Sequence, residues 1–189
     1  MENIRSFIAI ELNKDIKEEL AKLIEKLKSS GADVKWVAPE NIHVTLKFLG
    51  NISQEKIERI KGVLDKNKER FKTFSLTIAG IGAFPKLSFP RVIWVGIDEG
   101  KDSAKKIYYF LEAELEKEGF PKEERPFSPH ITIGRVNSIK NKEGLKSAIE
   151  NLKFAAAKTL DVDHVTLFQS TLTPKGPIYT PLYQAKFIA

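Results

Sequence analysis

The stretch NIHVTLKFLG, residues 41–50, carries a histidine and a threonine two positions apart, His43 and Thr45. A near copy lies at His130-Ile131-Thr132-Ile133, inside RPFSPHITIGR (125–135), and a third at His164-Val165-Thr166-Leu167. These are all three histidines of the 189-residue chain. With nine threonines available, three such coincidences have a chance expectation of roughly one in ten thousand. The spacing therefore reports how the chain is organised.

Two of the copies belong to a repeat. His43 and His130 are 87 residues apart, as are Phe7 and Trp94. The same shift lays Phe7-Ile8-Ala9-Ile10-Glu11 on Trp94-Val95-Gly96-Ile97-Asp98, Lys14-Asp15 on Lys101-Asp102, and Pro39 on Pro126. No gap is needed between the first strand and the histidine. Apolar alternation marks strands at 4–12, 41–50, 74–79, 92–98, 129–136, 162–172 and 178–188. Apolar residues at helical spacing mark helices at 14–30, from Ser53 onward, 101–118 and 142–152. The Gly- and Pro-rich residues 80–90 read as a loop. This order predicts an α+β fold in which two β-α-β-α-β halves, roughly 1–90 and 91–189, pack about a pseudo-twofold axis. The expectation is a single bilobal domain over 1–189, with antiparallel-type sheets around a central cleft.

The shift also separates the third copy from the other two. His164 falls on Thr77, in a strand without a histidine, and acidic Asp161 and Asp163 precede it. It is read as structural or superficial.

Composition narrows the chemistry. The chain has no cysteine, which excludes disulfides, thiolate metal sites and a cysteine nucleophile. The N-terminus lacks the pattern of a signal peptide and no apolar run reaches membrane-spanning length, so a cytoplasmic protein without membrane contact is expected. A net charge of +6 favours encounter with polyanions such as RNA, although a solvated surface of mixed sign accounts for it equally well.

His-x-Thr on a strand places imidazole and hydroxyl on one face, with Cα atoms about 7 Å apart. Two such strands related by a twofold axis would turn two imidazoles and two hydroxyls towards one central point. A phosphodiester suits that point. In-line displacement needs a base for the entering oxygen and an acid for the departing one. Imidazole serves in either role near neutral pH, and threonine hydroxyls can stabilise charge on the non-bridging oxygens. No His-x-His or His-x-x-x-His pair is present, so no metal and no cofactor are expected.

NIHVTLKFLG and RPFSPHITIGR, with RSFIAIEL (5–12) and LFQSTLTPKGPIYTPLYQ (167–184), resemble the 2H phosphoesterase superfamily. Within it they are similar to the RNA 2′,3′-cyclic phosphodiesterases, historically called 2′-5′ RNA ligases. The resemblance covers essentially the whole chain. It implies metal-independent hydrolysis of a terminal 2′,3′-cyclic phosphate on RNA to a 2′-phosphomonoester. It further implies that His43 donates a proton to the departing 3′ oxygen, that His130 accepts one from water, and that Thr45 and Thr132 bind the phosphate. Arg135 and Phe48 also match family positions, as a phosphate ligand and as a stacking surface for the terminal base. Each lies five residues beyond its histidine, an odd spacing that puts it on the wrong strand face unless the strand twists or ends. The expected partner is RNA ending in a cyclic phosphate, tRNA fragments among the candidates, acted on by a monomer. ATP-independent 2′-5′ ligation and a non-catalytic nucleotide- or RNA-binding module are the alternatives.

Overall fold

A computed structural model describes residues 3–188. The chain runs β1 (Ile4–Glu11), α1 (Lys14–Lys28), β2 (Val34–Trp36), β3 (His43–Ile52), α2 (Gln54–Asn67), β4 (Phe74–Leu76), β5 (Ile78–Lys86) and β6 (Phe89–Ile97). It continues with α3 (Lys101–Lys117), β7 (His130–Val136), α4 (Lys142–Asn151), β8 (Leu160–Val162), β9 (His164–Thr173) and β10 (Gly176–Lys186). The first two helices start where side chains cap them: Ile16 N–H donates to Asn13 and Lys56 N–H to Ser53, satisfying donors a helix start leaves free. No helix among the described residues is long and apolar enough to cross a membrane.

The strands form an eight-stranded sheet in the order β10-β9-β1-β3-β7-β6-β5, with β2 also on β7, and a separate β4–β8 pair. Every paired strand is antiparallel to its neighbour. Along β1, Ile8 and Ile10 point into the main core with the buried faces of all four helices, while Phe7 and Ala9 join Phe168 on the opposite face. Helices therefore cover one face of the sheet and leave the other for the site. The sheet is bilobal because β3 and β7 share a single register pair, Val44 with Ile131.

The repeat is woven rather than stacked. The 87-residue shift relates β1 to β6, β3 to β7 and β5 to β9. Yet β5 of the first half pairs with β6 of the second, and β9 of the second half pairs with β1 of the first. Each lobe thus takes its outer strand from the other half.

Residues 80–90 are not the expected loop but most of the β5–β6 hairpin. Glycine has two uses there. Gly80 has φ +75° at a register shift between Ala79 and Ile81, a conformation open to glycine. Gly82 lies beneath the Trp94 indole, where an added Cβ would come 2.2 Å from the ring. The short strands β2 and β8, three residues each, carry too few residues for alternation to reveal them, and the strand expected at 74–79 is divided between β4 and the start of β5.

One buried ion pair ties the two sequence halves together. Lys47 Nζ lies 2.6 Å from Glu112 Oε1 on α3, with both side chains under a tenth exposed. Lys47 also donates to Pro121 O at 2.7 Å, and Glu123 N–H donates to Glu112 Oε2 at 2.8 Å. The pair fastens the segment leading to His130 against the strand that begins at His43.

Candidate active site

The geometry starts from strand register. β1 pairs Ala9 with Thr45 but Ile8 with Lys47, so β3 holds an extra residue at Leu46. β6 pairs Trp94 with Thr132 but Ile93 with Gly134, so β7 holds an extra residue at Ile133, the counterpart of Leu46. A bulge of this kind inverts the alternation beyond it. Lys47 consequently turns into the core, and Phe48 comes opposite Phe7 on the face that carries His43 and Thr45. Arg135 is likewise returned to the face of His130 and Thr132. The odd spacing of Phe48 and Arg135 is thereby reconciled with one shared face. Phe48 is 69% exposed there, its ring centroid 6.5 Å from that of Phe7. Arg135 is exposed between Val92 and Lys35 on the neighbouring strands.

The Val44–Ile131 pair sets the two motifs against each other. In an antiparallel ladder it brings His43 opposite Thr132 and Thr45 opposite His130, all on the helix-free face, with the histidine Cα atoms on the order of 8–10 Å apart. The β9–β10 hairpin bends back over this face. Its Tyr179, paired with Ser170 far along the ladder, meets the His43 ring at a centroid distance of 5.3 Å. Asn41 Nδ2 donates to Pro177 O at 2.9 Å.

Both imidazoles are held the same way. His43 Nδ1 is 2.8 Å from Asn41 O and His130 Nδ1 is 2.7 Å from Ser128 O. A carbonyl only accepts, so each Nδ1 carries the hydrogen and each Nε2 is left with its lone pair. An aromatic ring from the first strand of each half supports each imidazole. Phe7 stacks on His43 at 4.8 Å, and Trp94 lies 6.5 Å from His130, with Phe84 edge-on at 5.0 Å. Burial pulls the His43 pKa down to about 4; its bond to Asn41 opposes this and the Lys17 charge adds to it. Burial also lowers the His130 pKa, against the Ser128 bond and with help from the Arg135 guanidinium. Arg135 and Arg5 both pull the Tyr179 phenol down against the upward push of burial. Arg135 thus acts electrostatically on His130 and on the tyrosine that packs against His43.

The third motif is placed differently. His164 Nδ1 is 2.5 Å from Asp163 Oδ1 and its Nε2 is 3.4 Å from Glu11 Oε1. Thr166, fully buried, donates to the same Glu11 oxygen at 2.5 Å. His164 is thus bonded to Asp163 while its buried Nε2, which makes no hydrogen bond, faces Glu11, and Thr166 is bonded to Glu11. Among the described residues no group of three or more His, Cys, Asp or Glu side chains is arranged to hold a metal ion.

A cavity of about 330 Å³ opens beside His43. Tyr179, Trp94 and Glu11 were not singled out as site residues from sequence. Glu11 and Trp94 had a signal, since each lies in the repeat-matched first strands; Tyr179 depends on the folded-back hairpin, which leaves no local signature.

Comparison with known proteins agrees with this architecture. A family model described as LigT like Phosphoesterase matches residues 10–94 and again 95–179, two successive copies along the repeat. The RNA 2′,3′-cyclic phosphodiesterase of Thermotoga maritima is 41% identical over 97% of this chain and 96% of its own. That of Methanocaldococcus jannaschii is 40% identical over 93% and 96%. The crystal structure of E. coli LigT in apo form superposes with a TM-score of 0.80 at 26% identity, over the full length of both chains. The chain belongs to the LigT-like phosphoesterase family.

Proposed function

We propose that the protein hydrolyses RNA 2′,3′-cyclic phosphate ends to 2′-phosphomonoesters by a two-histidine, metal-independent mechanism. The observation that carries this reading is the matched pair of Nδ1-to-carbonyl bonds. They fix two like tautomers, each with Nε2 free for proton transfer, on adjacent strands of one sheet face. In the free protein both imidazoles favour the neutral form. A bound phosphodiester anion favours the charged form, and one histidine takes up a proton as substrate arrives. His43 then gives its proton to the departing 3′ oxygen while His130 removes one from the attacking water. The hydroxyls of Thr45 and Thr132 donate to the non-bridging oxygens, Arg135 adds a bidentate contact, and Phe48 offers a face to a base. The names of the relatives from Thermotoga and Methanocaldococcus support the substrate class, as does the crystal structure of E. coli LigT complexed with 3′-AMP. We further propose that the chain works as one bilobal domain, because the exchange of β5 and β9 leaves neither half with a complete lobe of its own.

The direct test is an oligoribonucleotide ending in a 2′,3′-cyclic phosphate, incubated with the protein in excess EDTA. A 2′-phosphate end should form at the rate seen without chelator. Loss of turnover in EDTA, or a 3′-phosphate product, refutes the scheme.

The pH dependence has a definite sign. Both imidazole pKa values lie below 6.5 in the free protein, and kcat/KM reports free-enzyme groups. The basic limb of kcat/KM should therefore fall below pH 6.5. The bound anion raises the pKa of the donor, so the basic limb of kcat should lie at higher pH. Coincident limbs would contradict the assignment.

A further inference from the structure

Resting on the cyclic-phosphate reading of the same site, we infer that the outer part of the β7 lobe is a track for the RNA strand 5′ to the cyclic end, in which Phe89 stacks on an upstream base and Lys35, Lys86 and Arg91 hold phosphates. Phe48 keeps the terminal base. The charge of this lobe is one-sided. Its strands β2, β5, β6 and β7 carry four cations, Lys35, Lys86, Arg91 and Arg135, and no Asp or Glu. All four are exposed, and none of them makes an ion pair among the described residues. On α2, by contrast, Arg59 and Lys61 are paired with Glu55 and Glu58. The helices carry the mixed-sign surface, and this lobe carries a field of one sign, which draws in a polyanion.

The cations are continuous with the site. Val34 and Trp36 pack against the main core, so Lys35 between them points to the helix-free face. It pairs with Arg135 in the ladder, one strand spacing of about 4.8 Å away. Val92 and Phe84 extend the same row across β6 and β5, and Phe84 is the ring edge-on to His130. Beyond this row the β5–β6 hairpin ends in the Lys86–Phe89 pair. Leu87, in the turn between them, packs against the main core, so Lys86 and Phe89 stand away from the helices. Phe89 is 48% exposed, and the Arg91 guanidinium lies over its ring, 5.8 Å from the centroid. The cation covers one face of the ring and leaves the other for a base. A solvated aromatic among cations without carboxylates suits single-stranded nucleic acid, because phosphates answer the charges and every base has a face to stack. Trp94, beside His130, and Phe89 are five residues apart on β6, roughly 15 Å along the strand. That distance places Phe89 past the terminal nucleotide and over the strand that leads to it.

The test compares an oligoribonucleotide ending in a 2′,3′-cyclic phosphate with the cyclic mononucleotide of the same terminal base. Wild type should have the lower KM on the oligonucleotide. Phe89→Ala should raise that KM by roughly 10-fold, leave kcat unchanged and leave the mononucleotide unaffected. Phe89→Tyr keeps a stacking face and should behave as wild type. Lys35→Gln and Arg91→Gln should each flatten the slope of log kcat/KM against log salt for the oligonucleotide by about 0.7, the value for one phosphate contact on a single strand. The slope for the mononucleotide should not move. An unchanged oligonucleotide KM in Phe89→Ala, or a loss shared equally by the mononucleotide, overturns the track alone. Absence of hydrolysis of either substrate by wild type overturns the functional reading and this inference together.

Discussion

Alanine in place of His130 should lower kcat on a 2′,3′-cyclic phosphate end by about 10³-fold, and alanine at His43 by a similar factor. General acid and general base contributions typically fall between about 10² and 10⁴. Each imidazole here is fixed by one backbone carbonyl and one supporting aromatic ring, so its loss removes a positioned proton relay. Groups that act as a unit are strongly non-additive. The double variant should consequently be no more than about tenfold slower than either single one. Alanine at His164, whose ring is bonded to Asp163 and faces Glu11, should cost less than about tenfold on the same substrate. Single-turnover kinetics measures all four. Equal damage from the three alanine substitutions would destroy the distinction between the paired motifs and the third one.

The second large effect concerns stability. Alanine at Lys47 should lower the unfolding free energy by about 3–5 kcal/mol, the usual cost of removing one partner from a buried ion pair. Glu112 would be left as a buried charge on α3, retaining only the Glu123 N–H donor on its other oxygen. Lys47 would also release the carbonyl of Pro121. Replacing both charges, Lys47→Met with Glu112→Leu, should recover most of the loss, because an apolar pair of similar volume needs no hydrogen-bond partners. Urea unfolding with a constant m-value measures both variants. A loss below about 1 kcal/mol for Lys47→Ala would mean that the pair is solvated in solution.

How much of this was legible in sequence follows from what each feature depends on. The repeat, the amphipathic helices and the sharing of a face by His43 with Thr45 and by His130 with Thr132 are local and periodic, so the residues reveal them. The bulges at Leu46 and Ile133 are not, because an extra residue in a ladder shows only against its partner strand. That is why Phe48 and Arg135 looked misplaced by parity. Residues 80–90 misled for a related reason. Their glycines serve a bend and a close approach to Trp94, and those contacts are tertiary. The contact of Thr166 with Glu11 was hidden too, since the two are 155 residues apart in the chain.

The swapped outer strands bear on the ancestry of the fold. A polypeptide of half this length would have possessed a strand with no sheet of its own to join. It could have finished a lobe only by trading that strand with a second copy, which makes the precursor an obligate pair. Fusion of two such copies would turn a partnership between molecules into a covalent one, and would let each histidine change independently of the other.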